Sequence, residues 1–211
     1  MMKICTAVMV LFITAGHTLE AQEKPSSLAP GHADSYSLSK GSWELGLWGG
    51  GSPGPSTLIG KTQDRELLLF GLRYGWIFSA SENIAYEYTF DLIPTAVMSE
   101  PGRVRRGKST FYGAGLSPLG LKVLFGQQSW VKPFIGASVG FLYFNEKVPV
   151  PRASRFNLTP EISLGLEFFI APQRAFTLGY KYHHLSNAYT APRNPGLDSN
   201  VIYAGFSFYL P

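Results

Sequence analysis

Ile84, Tyr86, Tyr88, Phe90 and Leu92 alternate with Ala85, Glu87, Thr89 and Asp91. A strict period of two over nine residues places one set of side chains on each face of a β-strand and is incompatible with a helix. The unusual feature is which set carries the charge. One face is aromatic and aliphatic without a charge, while the other mixes small residues with carboxylates. The pattern recurs along the chain. Trp43, Leu45 and Leu47 oppose Glu44 and Gly46. Leu68, Phe70, Leu72, Tyr74 and Trp76 oppose Leu69, Gly71, Arg73 and Gly75. Ile135, Ala137, Val139, Phe141 and Tyr143 oppose Gly136, Ser138 and Gly140. Ile162, Leu164, Leu166 and Phe168 oppose Glu161, Ser163, Gly165 and Glu167.

Between Ser109 and Phe125 the apolar parity slips. Tyr112, Ala114 and Leu116 are even, whereas Leu119, Leu121, Val123 and Phe125 are odd, so a β-bulge is expected at Ser117-Pro118, where proline is tolerated in a sheet. The last two strands lie between Phe176 and Leu210. Eight strands result, and their connections alternate long, short, long, short, long, short, long. The long ones are GGGSPGPSTLIGKTQDR, Pro94 to Lys108, NEKVPVPRAS, and Asn187 to Leu197. The fold class expected is all-β, an eight-stranded antiparallel up-and-down outer-membrane β-barrel, with all long loops at one end. So few strands leave room only for side chains. Glu44, Arg73, Glu87, Asp91, Lys122, Glu161, Glu167 and Lys181 should therefore pair inside the barrel. A periplasmic lipid-binding barrel with inverted faces would expose many bare glycines and few charges to water.

The start of the chain fits export. Lys3 precedes an apolar run from Ala7 to Ala15, and small and polar residues follow to Ala21. Residues 1–21 read as a signal peptide, too short in its apolar part to span a bilayer. Residues 22–40 are polar, contain Pro and Gly and show no period, so a flexible leader is expected there, with the barrel domain over 41–211. His32 and Asp34 in that leader read as solvated linker residues rather than a metal pair. The one cysteine, Cys5, lies within the signal and leaves the mature fold without a disulfide.

The final hairpin carries the chemistry. On its first strand Phe176, Leu178, Tyr180 and Tyr182 share a face, and the same parity continues to His184 and Ser186. On the second, Leu210, Phe208, Phe206, Ala204 and Ile202 lead back by twos to Asn200 and Asp198. A serine, a histidine and an aspartate thus interrupt one apolar stripe at the loop end of both strands. A serine nucleophile, a histidine base and an orienting carboxylate would explain them. His184 and Ser186 are about 6.6 Å apart along the strand. Parity lets Asp198 sit opposite His184 or on the diagonal, either within side-chain reach. His183 has the opposite parity and is expected in the lumen beside Lys181. A polar mark at a membrane interface would be the blander account of each residue taken alone.

HLSNA (184–188), a following NPG loop (194–196) and an acidic residue twelve positions after the serine resemble the outer-membrane lipid A 3-O-deacylases, the PagL family, among the acyloxyacyl hydrolases. The resemblance covers most of the mature chain in architecture and the last hairpin in motif. It implies a carboxylic ester hydrolase of the Ser-His-Asp type acting on lipid A. His184 would be the general base, Ser186 the nucleophile, Asp198 the carboxylate and Asn187 an oxyanion-hole donor. Asp198 falls where the family commonly has glutamate, and Tyr189 where a glycine is expected. Aspartate is one methylene, about 1.5 Å, shorter, so it should lie directly opposite His184.

The formal net charge is +4. Its loop arginines, notably Arg105, Arg106 and Arg193, would then be substrate-binding residues facing lipopolysaccharide phosphates. Lipopolysaccharide and membrane lipid are the expected partners, a homodimer is allowed, and nucleic acid is not expected for an exported chain. No sequence pattern asks for a cofactor or a metal. The alternative function is a non-catalytic structural or adhesion-type small outer-membrane barrel.

Overall fold

The computed structural model describes residues 36–211 except 53–54, 57, 63–64 and 101–108. The expected signal peptide, most of the leader, and Arg105 and Arg106 lie outside the described residues. Eight long antiparallel strands follow one another: β1 (Trp43–Ser52), β2 (Glu66–Ala80), β3 (Ile84–Glu100), β4 (Ser109–Phe125), β5 (Val131–Val148), β6 (Ser154–Ala171), β7 (Arg174–Leu185) and β8 (Leu197–Leu210). Each pairs with the next, and β8 pairs with β1 from Trp43↔Leu210 to Gly51↔Ile202, closing the barrel. A two-residue strand, Pro55–Ser56, continues the β1 side along β8 opposite Ser199 and Asp198.

The faces follow the alternation. Leu68, Leu72, Trp76, Leu121, Ile135, Ile162, Leu164 and Ile202 point outward and are exposed. The charged parity points inward and is paired. Lys122 Nζ lies 2.8 Å from Glu44, 2.7 Å from Glu87 and 2.8 Å from Glu167. Arg73 holds Asp91 through two hydrogen bonds of 2.8 Å, and Lys181 reaches Glu161 at 3.1 Å. All eight expected interior charges therefore join ionic contacts in the lumen, and the inverted-face alternative is overturned by the exposed apolar band. Each of these eight charges thus has a counter-charge beside it, as burial away from water demands.

The bulge on β4 falls where expected, with a register shift between Leu116 and Leu119. The strands run further than expected at the long-loop end. β3 continues through Pro94 to Glu100, and β5 and β6 leave only residues 149–153 of the supposed NEKVPVPRAS loop outside strands. The physical reason is a second phase slip. A register irregularity between Ile93 and Ala96 turns Ala96 and Met98 inward, although inward residues before it are odd-numbered. Simple alternation counting stops at such a slip.

At the short-turn end the last residues of the leader are docked. Leu38 is buried, its N–H donates to Gln127 Oε1 at 3.2 Å, and Tyr36 packs edge-on against Phe169. The opposite end is where β7 and β8 bring His184 and Asp198 together, with Ser186 just beyond β7.

Candidate active site

The β7–β8 ladder runs without a shift from Arg174↔Phe208 to Leu185↔Leu197, which sets His184 directly opposite Asp198. That is the register a short carboxylate needs. His184 Nδ1 and Asp198 Oδ1 are 2.6 Å apart. The Asp198 carboxylate is fully buried, whereas the imidazole keeps some exposure. Ser186 follows on the same outward face, half-buried. It is tied to β6 by an isolated bridge: the Leu158 N–H donates to the Ser186 carbonyl at 2.7 Å, and the Ser186 N–H to the Leu158 carbonyl at 3.1 Å. Among the described residues, no hydrogen bond joins the Ser186 hydroxyl to His184.

The wall beside Ser186 is apolar. Leu158 and Phe156 are exposed, and Phe156 stacks on Phe141 with centroids 5.3 Å apart. On the other side of the sheet His183 is fully buried, with Nδ1 2.7 Å from Glu161 Oε1. His183 therefore belongs to the lumen network, as its parity requires.

After Ser186 the chain reverses sharply. Thr190 N–H donates to the Asn187 carbonyl at 3.0 Å, and both central residues, Ala188 (φ 48°) and Tyr189 (φ 61°), are left-handed. Two positive φ values in succession are the signature of a type I′ turn, which favours glycine. A tyrosine there carries backbone strain, of the kind that collects at functional sites. The Asn187 side chain is buried and holds the loop closed. Its Nδ2 donates to the Arg193 carbonyl at 2.8 Å, and its backbone N–H donates to Asn194 Oδ1 at 2.9 Å. Arg193 itself is exposed on this loop.

Sequence reasoning missed one part. The second carboxylate oxygen, Asp198 Oδ2, accepts hydrogen bonds from the backbone N–H groups of Ile59 (2.6 Å) and Gly60 (2.8 Å), in the long loop after β1. The same loop is laid against the last one by Lys61 N–H to Pro195 O (2.8 Å) and Thr62 N–H to Gly196 O (3.1 Å). The donors are main-chain atoms and carry no residue signature. The one sequence trace is Gly60, where a side chain would have no room.

The arrangement is an imidazole held by a fully coordinated carboxylate, with a hydroxyl on the same face above an apolar wall. Comparison with known proteins agrees on the class. The family described as "Lipid A 3-O-deacylase (PagL)" matches residues 69–207, a span that includes His184, Ser186, Asn187 and Asp198. The chain is similar to the crystal structure of the outer membrane enzyme PagL, with 16% identity over 77% of this chain and 97% of that one, at a TM-score of 0.52. It is likewise similar to the outer membrane protein OprG from Pseudomonas aeruginosa, with 16% identity over 81% and 96% and a TM-score of 0.50. At such identity the two likenesses speak for the barrel alone. No curated protein matches the sequence.

Proposed function

The chain belongs to the lipid A 3-O-deacylase family, barrels of the outer membrane, and from that premise we propose that it is a serine esterase whose nucleophile, base and carboxylate are Ser186, His184 and Asp198. The observation that carries the reading is the 2.6 Å contact between His184 Nδ1 and Asp198 Oδ1, on the outward face that Ser186 shares. With Nδ1–H donated to the carboxylate, Nε2 is the atom free to take a proton. Ser186 Oγ attacks the acyl carbonyl carbon as its proton passes to His184 Nε2. The tetrahedral intermediate collapses, and the departing sugar oxygen takes that proton. Water then enters by the same route in reverse, releasing the fatty acid and restoring Ser186.

Ser186 and His184 close their contact as substrate seats, since nucleophile–base distances are often long without substrate. Asn187 Nδ2 has a second N–H besides the one given to Arg193, and this is the donor assigned to the oxyanion. The acyl chain lies along the exposed Leu158–Phe156 wall, while the exposed Arg193, with Arg105 and Arg106, meets the phosphates of lipopolysaccharide. Export by a cleaved signal over residues 1–21, followed by a leader to residue 40, belongs to the same proposal.

The test is mass spectrometry of lipid A from cells expressing the chain or its Ser186→Ala variant. The expected result is loss of one ester-linked acyl chain with the native protein only. Unchanged lipid A in both, with the protein present in the outer membrane, would leave a structural or adhesion-type barrel.

A further inference from the structure

Resting on the esterase reading above, we infer that the loop segment Ile59–Gly60 is a positioning element that selects the working orientation of the Asp198 carboxylate, with Gly60 as the residue that permits its approach. The terminal torsion of an aspartate is broad and two-fold, so the side chain alone does not decide which oxygen faces the imidazole. Here the decision is made on the far side. Oδ2 receives two main-chain N–H groups, at 2.6 and 2.8 Å, and the carboxylate plane so defined leaves Oδ1 toward His184 Nδ1 at 2.6 Å. The carboxylate is fully buried, and an oxygen removed from water needs such donors. Asp198 is also held at both ends of its approach. Ser56 is its β-ladder partner on one side and His184 on the other.

Gly60 has no room for a side chain. A Cβ at this position would lie 2.8 Å from Asp198 N, 2.9 Å from Leu197 N and 3.0 Å from Asp198 Oδ1. Two of these are backbone atoms, and the third belongs to a carboxylate already held by three hydrogen bonds. Opposite it stands Gly196, left-handed at φ +65°, where an added Cβ would lie 3.0 Å from His184 Cε1 and 3.3 Å from Gly60 Cα. Two glycines in contact thus let the two long loops close over the imidazole and carboxylate. The segment is outside the strands of the barrel, so its loss should leave the barrel itself intact.

The experiment uses the full-length protein in detergent micelles with lipid A as substrate, comparing wild type, Gly60→Ala, Gly60→Pro and Leu58→Ala. Leu58 is exposed on the same loop, and the donors to Asp198 are the two residues after it. Both Gly60 variants should remain heat-modifiable on gels and lose about 10²-fold in kcat, with KM within about twofold, as expected for a misplaced catalytic group. The low-field proton resonance of His184 Nδ1–H should broaden or vanish in them and persist in Leu58→Ala, whose kcat should equal wild type. A Gly60→Pro enzyme within about threefold of wild type in kcat, or one that keeps that resonance, would overturn the inference. An equal loss in Leu58→Ala would overturn it too, because the loop would then act through its side chains. If wild type leaves lipid A untouched, the esterase reading fails, while the resonance still reports whether Gly60 orients the carboxylate.

Discussion

Replacing Asp198 by asparagine changes one atom and should nearly abolish turnover. The amide can seat in two ways. With its oxygen kept on the Ile59 and Gly60 N–H groups, its NH2 faces His184 Nδ1 at the 2.6 Å position now held by Oδ1. The imidazole must then carry its proton on Nε2, the atom that has to accept the Ser186 proton. With the amide flipped, the NH2 meets two backbone donors at 2.6 and 2.8 Å, two repulsive contacts that the first arrangement avoids. The first arrangement wins, and it is the wrong tautomer. Loss of the acceptor nitrogen and of imidazolium stabilisation together correspond to about 10⁴-fold in kcat, about 5 kcal/mol in the barrier. Purified Asp198→Asn in micelles, assayed for fatty acid release from lipid A, measures this. A loss smaller than about tenfold would refute the triad and leave a Ser186–His184 dyad. Asp198→Glu is expected to lose activity also, since 2.6 Å contacts on both oxygens leave no space for an added methylene.

Three further outcomes test the rest of the molecule. His183→Ala removes the partner of Glu161 but leaves Lys181 at 3.1 Å, so it should cost about 1–3 kcal/mol in urea unfolding while sparing the deacylation rate. Lys122→Met strands Glu44, Glu87 and Glu167 in the lumen without their shared cation, a deficit of about 3–5 kcal/mol in the same assay. That deficit should shrink as pH is lowered, because protonation removes the uncompensated charges. Tyr189→Gly relieves a left-handed tyrosine (φ 61°), worth about 1–2 kcal/mol, less the extra freedom of the unfolded glycine. It should raise the protection of the Asn187–Thr190 turn from hydrogen exchange without reducing activity.

The alternation of Ile84 to Leu92 and its repeats was enough to determine an eight-stranded barrel with its greasy side outward, because a strand has two faces and a period of two assigns every residue to one. The same parity put His183 in the lumen and His184, Ser186 and Asp198 outside. Parity is a local property, so it survives without knowledge of neighbours. It fails where the phase slips without a compensating pattern, as between Ile93 and Ala96 and between Tyr143 and Val148, so the strands run past the visible alternation to Glu100 and Val148. Register is not local. Whether Asp198 meets His184 directly or on the diagonal depends on how β7 and β8 align over their full length, and the ladder from Arg174↔Phe208 onward decides it. The coordination of Asp198 Oδ2 was decided by tertiary structure alone. Its donors are the backbone N–H groups of Ile59 and Gly60, 139 and 138 residues away in the chain. Every non-proline residue owns such a donor, so nothing in the one-dimensional text distinguishes the two that closure of the barrel brings to the carboxylate.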